Sequence, residues 1–247
     1  NTGVDASRFT ALALGYSRRF EGLPKPGPWH DGEPVRLGFW GMISKRKGVH
    51  VLLEALREVC DGAEGLPRPT ELHVFGRVGT EELDGELREM ADGLPVTFHG
   101  RYEYEQLASA GLHLAVFPAA CFETFGFVLD EAVELGLPVL VTNIGALPER
   151  AGRGAIATPP PSDAPALARA IRDVLADPSK LEEAREHLPE LPPTPEGHAS
   201  RIEQVYREAM RTARRPAPSV SPARRAEYLL LQRESAQRAL GTQPGPE

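Results

Sequence analysis

The stretch CFETFGFVLDEAVELG (121–136) carries two carboxylates eight residues apart, Glu123 and Glu131, around the start of a helix-like apolar run. An ionised carboxylate presents two acceptor oxygens and suits a pair of vicinal hydroxyls. With 35 acidic residues in the chain, spacing alone decides nothing. Two plain structural roles stay open, Glu123 complementing a helix dipole and Glu131 pairing with a surface arginine. A second stretch, GMISKRKG (41–48), places Lys45, Arg46 and Lys47 directly before a helical segment. A helix N-terminus is already positive, and each like charge there costs a few tenths to about 1 kcal/mol. Such a cluster makes sense where an anion docks. Gly48 then lets backbone N–H groups approach a phosphate, and Lys47 beside it supplies the charge. Lys45 and Arg46 read equally well as a solvated basic turn.

These residues need elements to position them. Short apolar runs recur at LGFWG (37–41), ELHVFG (71–76), VTFHG (96–100), LHLAVFP (112–118), PVLVT (138–142) and AIATP (155–159). Between them lie segments with helical spacing: 49–60, 81–91, 104–111, 127–136 and 166–177. In the first of these, Val49, Leu52, Leu53, Leu56 and Val59 or Cys60 share one face. Strand and helix alternating in this way predict an α/β, Rossmann-like three-layer domain with a parallel sheet of about six strands. Strands buried on both faces read as continuous apolar runs, as here. Further helices are expected over 179–188 and 199–215, separated by the proline-rich LPELPPTPEG. Residues 214–225 read as a linker and 226–240 as one more short helix. The predicted domain is therefore 1–213, with 214–247 outside it. In open parallel sheets ligands bind beyond the carboxyl ends of the strands, so the loops after Trp40, Phe75, His99, Pro118 and Thr142 matter most.

Composition narrows the field. The chain has 247 residues, 41% hydrophobic and 26% charged, ordinary for a globular protein. A net charge of -7 argues against broad nucleic-acid or anionic-membrane binding. Cys60 and Cys121 have no metal-ligand spacing and fit a reducing, cytoplasmic compartment. No apolar run approaches the roughly 18 residues of a membrane span. The chain opens on NTGVD without Met, as the middle of a longer protein would. No GxGxxG follows the first strand, which disfavours a nicotinamide dehydrogenase.

In the second acidic stretch, Thr124, Phe125 and Gly126 lead into the helix whose first N–H groups point at the same sheet edge. Gly126 suits a tight entry. Two helix N-termini and a lysine at one edge indicate phosphates, and two acids nearby indicate hydroxyls at both ends of the ligand. A nucleoside-diphosphate sugar has that shape.

The ordered set of motifs resembles the C-terminal, donor-binding half of the retaining glycosyltransferases of family 4, which have the GT-B two-Rossmann fold. NTGVDASRF (1–9), GMISKRKGVHVLLEAL (41–56), VTFHGRYEYEQL (96–107) and LHLAVFPAACFETFGFVLDEAVELGLPVLVTNIGALPE (112–149) carry the likeness, including the Glu-x7-Glu spacing of Glu123 and Glu131. It covers roughly residues 1–210. The resemblance implies Glu131 on the ribose hydroxyls, Glu123 on the donor sugar and Lys47 neutralising the departing diphosphate. It further implies Gly41 and the backbone of Thr124, Phe125, Gly126, Phe127 and Val128 along the pyrophosphate and sugar, with Arg101 and Tyr102 beside the base. No metal or other cofactor is implied. The implied acceptor domain lies in a preceding half absent from this sequence, and any peripheral membrane contact would come through it. Residues 199–215 match the helix that crosses back to that half.

One position departs from the family pattern: Met42 stands where an arginine is usual, so that either Arg46 substitutes or the pyrophosphate rests more heavily on Lys47 and the helix. Rival readings are a nucleotide-sugar epimerase-type enzyme of the same architecture and a non-catalytic binding module. His50, His73 and His113 read as core or edge residues. His99 and Arg77 lie near ligand-facing loops and stay open. Glu149 reads as a structural tie between loop and helix. Cys121 has no His–Asp pair to make it a nucleophile.

Overall fold

The computed structural model describes residues 9–62 and 65–212. Six strands follow in chain order: β1 (Val35–Trp40), β2 (Thr70–Phe75), β3 (Val96–Gly100), β4 (Leu114–Phe117), β5 (Val139–Val141) and β6 (Ala155–Ala157). All pair in parallel, in the order β3-β2-β1-β4-β5-β6. The expected sheet is therefore present, each strand within a few residues of its predicted limits. The central strands explain the unbroken apolar runs: every residue of β4 and β5 is buried, and five of six in β1. Edge strand β3 has no fully buried residue, and three of its five are exposed.

The helices are α1 (Val49–Asp61), α2 (Glu81–Met90), α3 (Tyr104–Ala108), α4 (Phe127–Leu135), α5 (Leu147–Ala151), α6 (Ala164–Ala176), α7 (Ser179–Glu186) and α8 (Pro195–Thr212). Right-handed crossovers put α1 and α2 on one face and α3, α4 and α5 on the other, because the winding reverses after β3. Helix α6 returns to pack along α1. Strand β1 thus lies between β2 and β4, and the chain leaves β1 and β4 toward opposite faces. A crevice opens between their carboxyl ends, the place where such sheets hold ligands.

Two elements differ from expectation. Helix α5 begins inside GALPE (145–149), where no helix was predicted; at five residues it is too short to show a period. Helix α8 begins at Pro195, inside the predicted proline connector. Proline suits the first turn of a helix because its missing N–H has no partner there anyway, and the Thr194 hydroxyl accepts the Gly197 N–H at 3.2 Å. The compact body ends at Ser200, within α8; Arg201 onward forms a separate unit, whose described part carries the Arg207–Glu203 and Arg211–Glu208 pairs. The start of NTGVDASRF, the linker over 214–225 and the helix over 226–240 lie outside the described residues.

The segment before β1 is fixed to α4 by one buried carboxylate. Glu134 accepts the Tyr16 hydroxyl at 2.7 Å and the backbone N–H groups of Arg19 and Phe20 at 2.9 and 3.0 Å. Phe20 is fully buried and meets Tyr104 edge-on at 5.3 Å. Removing the carboxylate leaves two buried donors and a partly buried one without an acceptor, each buried one worth about 1–3 kcal/mol. Glu134→Ala is expected to lower unfolding free energy by about 3 kcal/mol or more, and Tyr16→Phe by about half that or less, measured by urea denaturation. Wild-type midpoints in Glu134→Ala would refute this account.

Candidate functional site

One wall of the crevice is built where β1 hands over to α1. Lys45–Lys47 form a single 3-10 turn, and Gly48 then takes a left-handed conformation (φ 76°) before α1 begins. A side chain there is excluded twice over. The backbone is strained for any L-residue, and a Cβ would lie 1.8 Å from the Pro118 carbonyl oxygen. No side chain caps α1, so its first N–H groups have no side-chain acceptor.

The facing wall begins with the loop after β4. Gly126, again left-handed (φ 76°), starts α4, also without a side-chain cap. Helices α2 and α6, away from the crevice, are capped by Thr80 and Asp163. The loop is tied by Arg150 of α5. Its guanidinium donates to the carbonyls of Phe125 and Gly126 at 2.6 and 3.1 Å, pairs with buried Asp130, and lies 3.6 Å over the Phe125 ring. Burial pushes the Asp130 carboxyl up, although Arg150 beside it pulls the other way. The backbone of Glu123 is pinned as well, its carbonyl accepting the Ala146 N–H at 2.9 Å.

Between the walls lies a cleft of about 340 Å³. Of the sequence-predicted residues, Gly41, Lys47 and Glu123 line it, as do Thr124, Phe125, Gly126, Phe127 and Val128. Phe39, Trp40, Met42, Phe117, Ala119 and Leu147 complete a largely apolar lining. Lys47 and Glu123 meet inside it, Nζ to Oε1 at 2.5 Å. One side chain further back, the Trp40 indole N–H donates to Glu131 Oε2 at 2.8 Å. Burial pushes the Glu131 carboxyl up to about 7, against the lowering pull of that hydrogen bond and of Arg19.

Several expected residues stand elsewhere. Glu131 is not in the cleft lining; it sits behind Trp40. Burial first, and the Glu131 charge next, push the Tyr102 phenol up. Tyr102 is half-buried and packs edge-on against Phe75 at 5.7 Å, while Arg101 is exposed. Neither lines the cleft. Arg46 does not replace the missing arginine: it is exposed, and its Nε reaches Cys121 Sγ at 3.2 Å. Lys45 turns outward to Glu86 at 2.9 Å. Arg77 is exposed. Glu149 is exposed too, and the tie assigned to it belongs to its neighbour Arg150, whose longer fork reaches two carbonyls and a carboxylate at once.

The histidines fall largely as expected. His113 is buried, its Nδ1 accepts the Arg36 N–H at 3.0 Å, and burial brings it down to about 4. His99 stacks on Phe75 at 4.1 Å and meets His73 Nδ1 at 3.0 Å on the outer strands. Among the described residues no three His, Cys, Asp or Glu side chains converge as metal ligands. Trp40, Asp130 and Arg150 escaped the sequence reading. Trp40 entered that reading only as the end of an apolar run, and Arg150 acts across 20 residues, a pairing no local pattern reveals.

Comparison with known proteins completes the picture. The family described as "Glycosyl transferases group 1" matches residues 34–177, more than half of the chain. Glycogen synthase of Mycobacterium tuberculosis is 31% identical over 225 residues, covering 87% of this chain and 49% of that protein. The chain thus spans about half the length of the curated relatives it matches. Sucrose-phosphate synthase of Thermosynechococcus elongatus shares the fold with a TM-score of 0.61 at 24% identity, over 82% of this chain and 53% of the other. HepE of Anabaena, solved in complex with UDP and glucose, gives 0.58 at 22% identity, over 70% and 48%. The chain belongs to the group 1 glycosyl transferases.

Proposed function

We propose that this chain binds a nucleoside-diphosphate sugar and supplies the donor half of a retaining glycosyl transfer. The observation that carries the reading is the meeting of Lys47 and Glu123 between two helix starts that lack side-chain caps, at the point where the sheet reverses its winding. A pyrophosphate placed there receives the helix N–H groups and Lys47, and the sugar comes within reach of Glu123. HepE of Anabaena, which shares the fold, was solved with UDP-glucose. Glu131 takes the ribose hydroxyls from behind Trp40, and Arg101 and Tyr102 lie toward the base. The acceptor is held by a preceding domain outside this sequence, and the fragment alone is inactive in transfer.

The chemistry follows from positioning. The bond between the sugar's anomeric carbon and the diphosphate oxygen breaks, and negative charge grows on the diphosphate, where Lys47 and the α4 N-terminus stabilise it. The acceptor oxygen bonds to the same face of that carbon, and its proton passes to the leaving phosphate oxygen. Orientation and charge stabilisation carry the rate, with no side-chain nucleophile.

Calorimetric titration with UDP-, GDP- and ADP-sugars tests the donor reading. At least one should bind at micromolar affinity or weaker, and Lys47→Ala or Glu131→Ala should each weaken it roughly 10- to 100-fold, the scale of a charge-assisted hydrogen bond. A folded wild-type protein silent across the panel would refute it.

The raised Glu131 carboxyl gives a pH signature. Its surroundings are the Trp40 indole, Arg19, Asp130 and Glu134 on its own helix, with Tyr102 and Tyr104 nearby. Diol hydrogen bonds favour the ionised form, so binding drives deprotonation, and affinity should rise with pH through about 7. The rise approaches about tenfold per unit on the acid side. Glu131→Gln is expected to flatten the profile measured with a nucleotide sugar, whose diphosphate diester does not titrate in that range. An unchanged slope in Glu131→Gln would remove Glu131 from the ribose.

A further inference from the structure

We infer that Glu123 is an exchangeable counter-ion for Lys47, one that holds the lysine against a bare diphosphate and releases it to an intact donor. The inference rests on the donor-site reading above and adds to it a means of telling donor from product.

The cations near the crevice are unequally placed. Lys45 is committed outward to Glu86, and the exposed Arg46 is directed at Cys121. Met42, at the mouth of the cleft, brings no charge. Among the described residues that line the cleft, Lys47 is the one cation and Glu123, at 2.5 Å, the one anion. The lining therefore sums to zero formal charge, and the group suited to hold a phosphate already holds a carboxylate. The pair is partly shielded, with 39% of the Lys47 side chain and 18% of the Glu123 side chain exposed.

The two ends of Glu123 differ in freedom. Its backbone is locked: the carbonyl accepts the Ala146 N–H, and Gly145 passes so close that a Cβ there would lie 2.4 Å from that carbonyl oxygen. Only side-chain torsions are left to move the carboxylate. A bare diphosphate that takes Lys47 leaves this carboxylate without a partner beside new negative charge, which opposes binding. A nucleotide sugar takes Lys47 and offers sugar hydroxyls to Glu123 in return. Exchange of partners is then matched for the donor and unmatched for the nucleoside diphosphate left after transfer. The site thereby favours substrate entry and product exit without a moving lid.

The test uses the full chain, with inorganic pyrophosphate as the base-independent probe, UDP, GDP and ADP, and the matching nucleotide sugars. Glu123→Gln is expected to bind pyrophosphate and the preferred nucleoside diphosphate about fivefold or more tighter than wild type. The preference for nucleotide sugar over nucleoside diphosphate should fall by at least as much. In the double variant Lys47→Ala with Glu123→Gln the gain should vanish. Glu123→Asp, too short to reach Lys47 in the same pose, is expected to shift affinities the same way and serves if Glu123→Gln does not fold. A Glu123→Gln protein that binds diphosphates no tighter than wild type, while wild type binds them, overturns the exchange and leaves the donor site standing. Failure of both folded proteins to bind any probe overturns the donor site and the exchange together.

Discussion

Gly48 and Pro118 touch across the crevice between β1 and β4, with room for a bare backbone and no side chain. The contact follows from the sheet. Because β1 pairs with β2 on one side and β4 on the other, Leu37 opposite both Leu72 and Leu114, the loops leaving β1 and β4 begin as neighbours and then part. Their helix starts are brought to one rim, and the glycines at 48 and 126 let each chain turn into its helix without a capping side chain. The polar demand of those first N–H groups is left for a ligand to meet. The electrostatic character of the site is thus set by backbone geometry before any charged side chain is counted.

The charged side chains that remain are few and closely matched. A largely apolar lining lowers the local dielectric, so an unpaired Lys47 or Glu123 would be costly there, and the ion pair is the resting solution. Glu131 illustrates the alternative. It has a neutral partner in the Trp40 indole and two acids on its own helix, and burial pushes its carboxyl up to about 7. The two glutamates of one motif are stabilised differently, one by a cation and one by a neutral donor near its protonation midpoint. That asymmetry suits a ligand that brings negative charge to Lys47, the partner of one glutamate, and hydroxyls to both.

Much of this was legible in the sequence because it is local. Unbroken apolar runs mark strands buried on both faces, and spacings of three and four mark α1 well enough to name its buried face, though Val51 and Ala55 are buried there as well. Lys47 beside Gly48 and Glu123 beside Gly126 pointed to the cleft because each motif sits directly at a helix start. What was missed depends on distant partners. Arg150 was hidden because its work is done on Phe125, Gly126 and Asp130, more than a strand and a helix away. Arg46 was open as a substitute for the missing cation, yet one residue of turn from Lys47 sends it to the outer side, onto Cys121. Glu134 carries no local signal at all, and only the fold reveals that Tyr16, Arg19 and Phe20 converge on it.

The rim of the cleft carries a last constraint. Met42, Phe122 and Phe127 are 61%, 69% and 51% exposed, close together in sequence with the residues that line the hollow. Isolated exposed apolar side chains need no explanation, but three beside one cleft make a surface that water covers poorly. Arginine at position 42 would have made that rim cationic; methionine makes it apolar while leaving the diphosphate charge to Lys47 and the two helix starts. Under the proposed function this trades long-range attraction of an anion for a drier mouth, in which the remaining ion pair and the helix N–H groups act more strongly. Loss of the cation and the near-neutral cleft then belong to one design, in which affinity comes from desolvated, directional contacts more than from net charge.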